Sequence, residues 1–159
     1  VRFMMISRHQ DMTIDFDFKK VVEQSKDNPL FYIQYAHARI HSVLRHATQI
    51  FGESLPTDSL EFLNDEAELC VIKGLIQWPR VVTSAAHHLE PHRVANYLYD
   101  LAALFHSLWN KGKEHTQLRF IDEKCPSQTA ARLALLRSTA CILAEGLELL
   151  GITPSEEMR

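Results

Sequence analysis

Asn28-Pro-Leu-Phe-Tyr-Ile-Gln-Tyr-Ala-His-Ala-Arg-Ile-His-Ser-Val-Leu-Arg45 is the stretch that decides the fold of this chain. Asn28-Pro29 is a stop-start signal, and the residues after it keep a helical period with no glycine and no second proline. At about 100° per residue, Ile33, Ala36, Ile40, Val43, Leu44 and Ala47 share one apolar stripe that must face a core. Tyr32, Tyr35, Arg39 and His46 share a neighbouring stripe, within an arc of roughly 60°. Two phenols, a guanidinium and an imidazole in a row can stack on flat rings and hold phosphates, which is the chemistry that grips splayed nucleobases. The same pattern also marks the border of an ordinary half-buried helix, so both readings stand at this point.

On the N-terminal side, residues 1–14 run from apolar to polar and read as the remnant of a junction with a preceding unit. A short helix is expected from Asp15 or Asp17 as N-cap. The helix after Asn28 should run to about residue 50, ahead of a polar loop with Gly52 and Pro56. The next is expected near Asn64-Asp65, where Glu66 and Glu68 favour the positive helix end and Leu69, Ile72 and Ile76 suggest an apolar stripe. Trp78-Pro79 should break or kink the chain before a stripe of Val82, Ala85, Ala86 and Leu89. Glu90-Pro91 opens a long helix in which Val94, Leu98, Leu101, Phe105 and Leu108 repeat in helical register. Asn110 to Ser127 is polar and reads as the longest loop. A last helix is expected from about Thr129, burying Leu136, Leu143, Leu147 and Leu150 and stopping at Gly151. The pattern is all-α, a helical bundle of five to six helices over residues 15–159.

The chain has 159 residues and 46% hydrophobic content, enough for one domain with its own core. A net charge of −3 argues against coating nucleic acid through bulk positive charge, but distributed arginines and lysines leave room for a local basic face. No apolar run approaches the roughly 18 residues a membrane span needs, and no signal-peptide pattern is present. Cys70, Cys125 and Cys141 are scattered, which suits a reducing cytosol; Cys70 and Cys141 read as small core residues. His88 and His92 have the spacing of helical zinc ligands, but Glu90-Pro91 between them should end the helix, so no metal site is expected. A chain opening on Val1 rather than methionine reads as a fragment or a processed product.

Several pieces together carry a specific likeness. DNPLFYIQYAHARIHSVLR, VANYLYDLAALFHSLWNKGK, ARLALL and the terminal GLELLGITPSEEM resemble the C-terminal anticodon-binding domain, of the DALR type, of bacterial arginyl-tRNA synthetases. The opening RFMMISR followed by DFDF and SKDNP resembles that family's junction between catalytic core and anticodon domain. The resemblance covers essentially the whole chain. It implies the helical bundle of a class I synthetase anticodon-binding domain and a parent that ligates arginine to tRNA-Arg with ATP, and Mg, in the cytoplasm. The His-x-Gly-His motif, Lys-rich loop and Gly-rich phosphate loop of such chemistry do not occur in these residues. The resemblance therefore implies a fragment without catalytic residues, cofactor or metal of its own. Its implied partners are the anticodon stem-loop of tRNA-Arg and its own catalytic domain, with no DNA and no membrane, and a monomer is expected. The implied anticodon-facing residues are Tyr32, Tyr35 and Arg39, with Trp109 and Met158 on the same surface. Trp109 also has the position of a core anchor. The competing reading is a stand-alone helical interaction domain or a small metal-dependent hydrolase.

Overall fold

The computed structural model describes residues 1–9, 11, 25, 27–52 and 60–158. Among them lie six α-helices: α1 (Arg2–Ile6), α2 (Pro29–Phe51), α3 (Glu66–Ile76), α4 (Trp78–His88), α5 (His92–Glu114) and α6 (Pro126–Leu149), with single 3₁₀ turns at Leu60–Phe62 and Thr116–Leu118. No strand occurs among the described residues, and the expected all-α bundle is what is found. The helix expected from Asp15 or Asp17 and the loop around Pro56 lie outside the described residues.

α2 starts where Asn28 caps it, the side-chain carbonyl accepting the Leu30 and Phe31 amides at 3.2 and 3.3 Å, with Pro29 in the first turn. Its predicted apolar stripe is the core face: Ile33, Ala36 and Ile40 are fully buried, and Val43 and Leu44 pack at the edge. α5 is the central helix and touches each of the other α-helices. Leu98, Leu101, Phe105 and Leu108 fill the middle of the bundle against Leu133, Leu136, Leu143 and Leu147 of α6. Each such fully buried apolar side chain contributes about 1.5–3 kcal/mol through removal from water. α5 and α6 approach closely at Gly146, where a Cβ would stand 2.5 Å from a methyl of Leu98.

Residues Arg2–Ile6, read as junction, pack into this same core through Phe3. α3 is rotated from its expected face. It buries Glu68 and Val71 and packs Ile72 of the expected stripe against the core, whereas Leu69 and Ile76 are exposed. The cause is an ion pair: Glu68 accepts from Arg132 Nε at 2.7 Å, with both side chains almost entirely buried. Glu68 also accepts the Asp65 amide at 3.1 Å and Asp65 accepts the Ala67 amide at 2.8 Å, a reciprocal cap that secures the helix start. Lys111 closes the network from α5 at 2.7 and 2.8 Å from the Asp65 oxygens, and its hydrogen bond holds the Asp65 carboxyl below its ordinary pKa.

In α4 only Ala85 of the expected stripe is buried; Leu89 is a left-handed cap at φ 56° and 84% exposed. Cys141 is exposed rather than a core residue, and burial by its neighbours, then Glu145, raises its thiol pKa. The stretch expected as one loop from Asn110 is shorter. α5 continues to Glu114 because Gly112 lies against the Leu118 carbonyl, 2.9 Å from where a Cβ would be, so the chain folds back onto the helix without clash. α6 begins at Pro126, before the expected Thr129, whose hydroxyl instead closes a turn with the Asp122 backbone. Gly151 ends α6 as expected: at φ 70° it donates to Glu148 O at 2.8 Å and Ile152 donates to Leu147 O at 2.9 Å.

Candidate nucleic-acid interface

The stacking stripe of α2 stands beside the outward edge of α5. The Arg39 guanidinium lies between two rings, its Cζ 4.3 Å from the Tyr35 centroid and 4.4 Å from the Trp109 centroid. It also donates to the Tyr35 hydroxyl. Four residues apart on α2, Tyr35 and Arg39 are stacked on one face by helical geometry alone. Trp109 reaches the same point from α5. A guanidinium placed over two π faces is favoured electrostatically.

These residues wall a cleft of about 390 Å³ together with Ala38, Ser42, Arg45, Glu157 and Met158. Of the five side chains singled out in the sequence, Tyr35, Arg39, Trp109 and Met158 therefore meet at one place. Tyr32 stands behind it. Its ring is 4.4 Å from that of His106 and 5.2 Å from that of Tyr99, and burial raises its phenol pKa. His46, on the same predicted stripe, is exposed and does not line the cleft.

His106 was not among the anticipated site residues, yet it links Tyr32 to Tyr35, 5.8 Å from the latter's centroid. Its Nε2 donates to the Tyr32 carbonyl at 3.3 Å. Burial lowers its pKa against the raising effect of that hydrogen bond, and nearby Arg39 lowers it further, so the ring is neutral at pH 7. A continuous series of ring and cation–π contacts results, from Tyr99 through Tyr32, His106, Tyr35 and Arg39 to Trp109 and then Phe120, of which the His106–Tyr35 pair is stacked and the other ring pairs are tilted. Trp109 Nε1 is buried without a hydrogen-bond partner among the described residues. Its ring is thus oriented by packing against Phe105 and Phe120 and by Arg39, and can tilt without breaking a hydrogen bond.

Arg45 was missed as a cleft residue because its spacing from Arg39 places it off the stripe. Its Nη2 stands 3.7 Å from Glu157, and its Nη1 donates to Glu156 O at 3.4 Å. The lining charges, Arg39 and Arg45 against Glu157, leave a local excess of one positive charge in a chain of net charge −3. Among the described residues, no cluster of His, Cys, Asp or Glu could hold a metal ion and no helix is long and apolar enough to cross a membrane.

The chain is thus an all-α bundle with a cationic, aromatic-walled cleft, and comparison with known proteins specifies its family. The family described as the DALR anticodon binding domain matches residues 33–158, and the chain belongs to that family. It is 52% identical over 164 residues to an arginine–tRNA ligase of Parvibaculum lavamentivorans, covering all of this chain and 28% of that protein. It is 49% identical over 162 residues to the arginine–tRNA ligase of Ruegeria pomeroyi, again across 28% of its length. The chain thus spans little more than a quarter of these relatives. The structure of Thermus thermophilus arginyl-tRNA synthetase superposes with a TM-score of 0.80 at 33% identity, over 99% of this chain and 26% of that one. The arginyl-tRNA synthetase of Plasmodium falciparum, at 19% identity and a TM-score of 0.76, shares the fold.

Proposed function

We propose that this chain is the tRNA-reading part of an arginine–tRNA ligase, and that the Tyr35–Arg39–Trp109 cleft receives a base of the tRNA-Arg anticodon loop. The single observation that carries this reading is the guanidinium sandwiched between two rings, in a member of an anticodon-binding family. Arg39 occupies the space that a flat base would take. An entering base would stack on Tyr35 or Trp109 and displace the guanidinium to its edge, where its fork of donors suits a phosphate. Met158 would close the far side with a deformable apolar wall. Tyr32 and His106 support the stack from behind.

The remainder of the enzyme would supply ATP and Mg binding and join arginine to the tRNA, in the cytoplasm; this chain would contribute recognition, to RNA rather than DNA, as a monomer. The test is binding of a synthetic RNA hairpin carrying an arginine anticodon loop, compared with one whose anticodon is swapped, by fluorescence anisotropy. The matched hairpin should bind more tightly. Tyr35→Ala and Arg39→Ala should each weaken binding by about 1–3 kcal/mol, the worth of one base–aromatic stack. Arg39→Lys should not restore it, because an ammonium lacks the flat face. Equal binding of both hairpins, or parent-like binding by both alanine variants, would refute the assignment. A stand-alone interaction bundle would show no salt-dependent RNA affinity at all.

A further inference from the structure

The residues that end the cleft come from the segment that follows α6, and a third face of α2 holds them there. Gln34, His37, His41 and Arg45 recur at helical spacing, on neither the apolar stripe nor the stacking stripe. In sequence they look like a solvated face. In the structure the backbone of residues 152–158 runs along them. The Gln34 side chain donates to Thr153 O at 2.9 Å and accepts the Ser155 amide at 2.7 Å, so one carboxamide satisfies both backbone groups that flank Pro154. Pro154 itself has no amide to satisfy and fixes its own φ, which suits an extended path. His37, only 3% exposed, donates Nδ1–H to Ser155 O at 2.8 Å. Upstream, Gly151 turns the chain off α6, its carbonyl accepts from Arg2 at 2.6 Å, and Ile152 packs on the core. His41–Glu156 at 3.9 Å and Arg45–Glu157 at 3.7 Å are exposed pairs and add little.

We propose that Gln34 and His37 are positioning residues for RNA reading: they hold the terminal segment so that Glu157 and Met158 form one wall of the cleft. This rests on the anticodon-reading assignment above. Neither residue lines the cleft. Gln34 precedes Tyr35 on the helix but points about 100° away from it, so any effect on RNA must travel through the segment. The bonds go to backbone groups, which fixes the path of the segment whatever its side chains. Without them, a few residues following a helix terminus would lose their ordered course. Tyr35, Arg39 and Trp109 would then face an open groove instead of a closed cleft.

The experiment is a four-armed cycle on the matched RNA hairpin: the parent chain, Gln34→Ala, the chain ending at Ile152, and both changes together. Gln34→Ala and the truncation should each weaken binding about tenfold, and the combination should be no weaker than truncation alone, a coupling of that same size. Thermal unfolding followed by circular dichroism should be the same for Gln34→Ala and the parent. His37→Asn can present an amide N–H near the Nδ1 position and should retain binding, whereas His37→Ala should lose it. Parent-like binding by Gln34→Ala overturns the proposal, as does an equal further loss in the truncated chain. If the parent chain fails to bind the hairpin, the RNA assignment itself has failed and the positioning role falls with it; that result is distinguished by missing affinity in every arm.

Discussion

Replacing Arg132 by methionine isolates the charge network that ties α3 to α6. The guanidinium is 3% exposed and makes two bonds, to Glu68 at 2.7 Å and to the Arg119 carbonyl at 2.8 Å. Methionine keeps most of the volume and removes the charge and both donors. Glu68, 1% exposed, would then be buried with the Asp65 amide still donating to it but without its cationic partner. Breaking a buried pair from one side costs about 3–5 kcal/mol, because the remaining charge has lost its compensation. A domain of ordinary stability has roughly 5–15 kcal/mol in total, so the variant should be severely weakened. With a urea slope near 2 kcal/mol/M, the midpoint should fall by about 1.5–2.5 M. Glu68→Gln combined with Arg132→Met removes both charges and should recover a large part of the loss, since a pair is often replaceable where a single charge is not. Urea unfolding followed at 222 nm on the parent, both single variants and the double variant gives the coupling directly. A midpoint for Arg132→Met within about 0.5 M of the parent, or strict additivity in the double variant, would show that the pair does not determine how α3 packs.

Gly146→Ala should destabilise the chain by about 1–3 kcal/mol in the same assay: its Cβ would stand 2.5 Å from buried Leu98, which outweighs the smaller gain in helix propensity. Stability should also fall as pH drops below about 6.5, the ordinary histidine value, because the unfolded chain takes up a proton there that folded His106, with its lowered pKa, does not. His41, also lowered by burial, acts in the same direction; the share of His106 cannot exceed about 1.4 kcal/mol per pH unit, one proton, and His106→Gln should remove that share, as read from urea midpoints at pH 7.5 and 5.5. RNA affinity should fall only about sevenfold between 50 and 200 mM salt, the slope for roughly two phosphates on a single strand. A hundredfold loss would place the main contact on a more basic face than this cleft.

The bundle itself was legible because its longest helices follow simple period. On α2 and α5 every apolar residue assigned to a core stripe is buried or packed at its edge. Stops at Asn28-Pro29, Trp78-Pro79, Glu90-Pro91 and Gly151 were equally readable, since each depends on local backbone chemistry. The errors fall where a distant residue overrides local pattern. Glu68 reads as an end-of-helix acid until Arg132, 64 residues on, draws it inward, and Leu69 and Ile76 turn to solvent as a result. Gly112 reads as a loop marker, yet it is the point where a following turn touches the helix. The cleft was partly legible. The spacing of Tyr35 and Arg39 puts them together on any helix, but the approach of Trp109 depends on how α2 and α5 pack. Gln34 bonds to backbone 119 and 121 residues away, and backbone groups leave no mark in a sequence.

On the proposed reading, a chain of net charge −3 would draw part of its grip on RNA from stacking. The arrangement around Arg39 would favour this in two ways. The stacked groups extend well beyond the cleft itself, so the Tyr35 ring is already backed by His106 and Phe31 before any base arrives. A pre-ordered platform spends less binding energy on fixing side chains than a mobile one. The group behind Tyr35 is also neutral. Were His106 protonated, it would stand as a second cation close to Arg39 and would draw counter-anions rather than the flat face of a base. Burial lowers its pKa, so the cation beside the Tyr35 ring is Arg39. On the proposed reading, the selectivity of the site would come from the shape of the slot and the edges it presents. The wall formed by Glu157 and Met158 would then narrow which unstacked base fits.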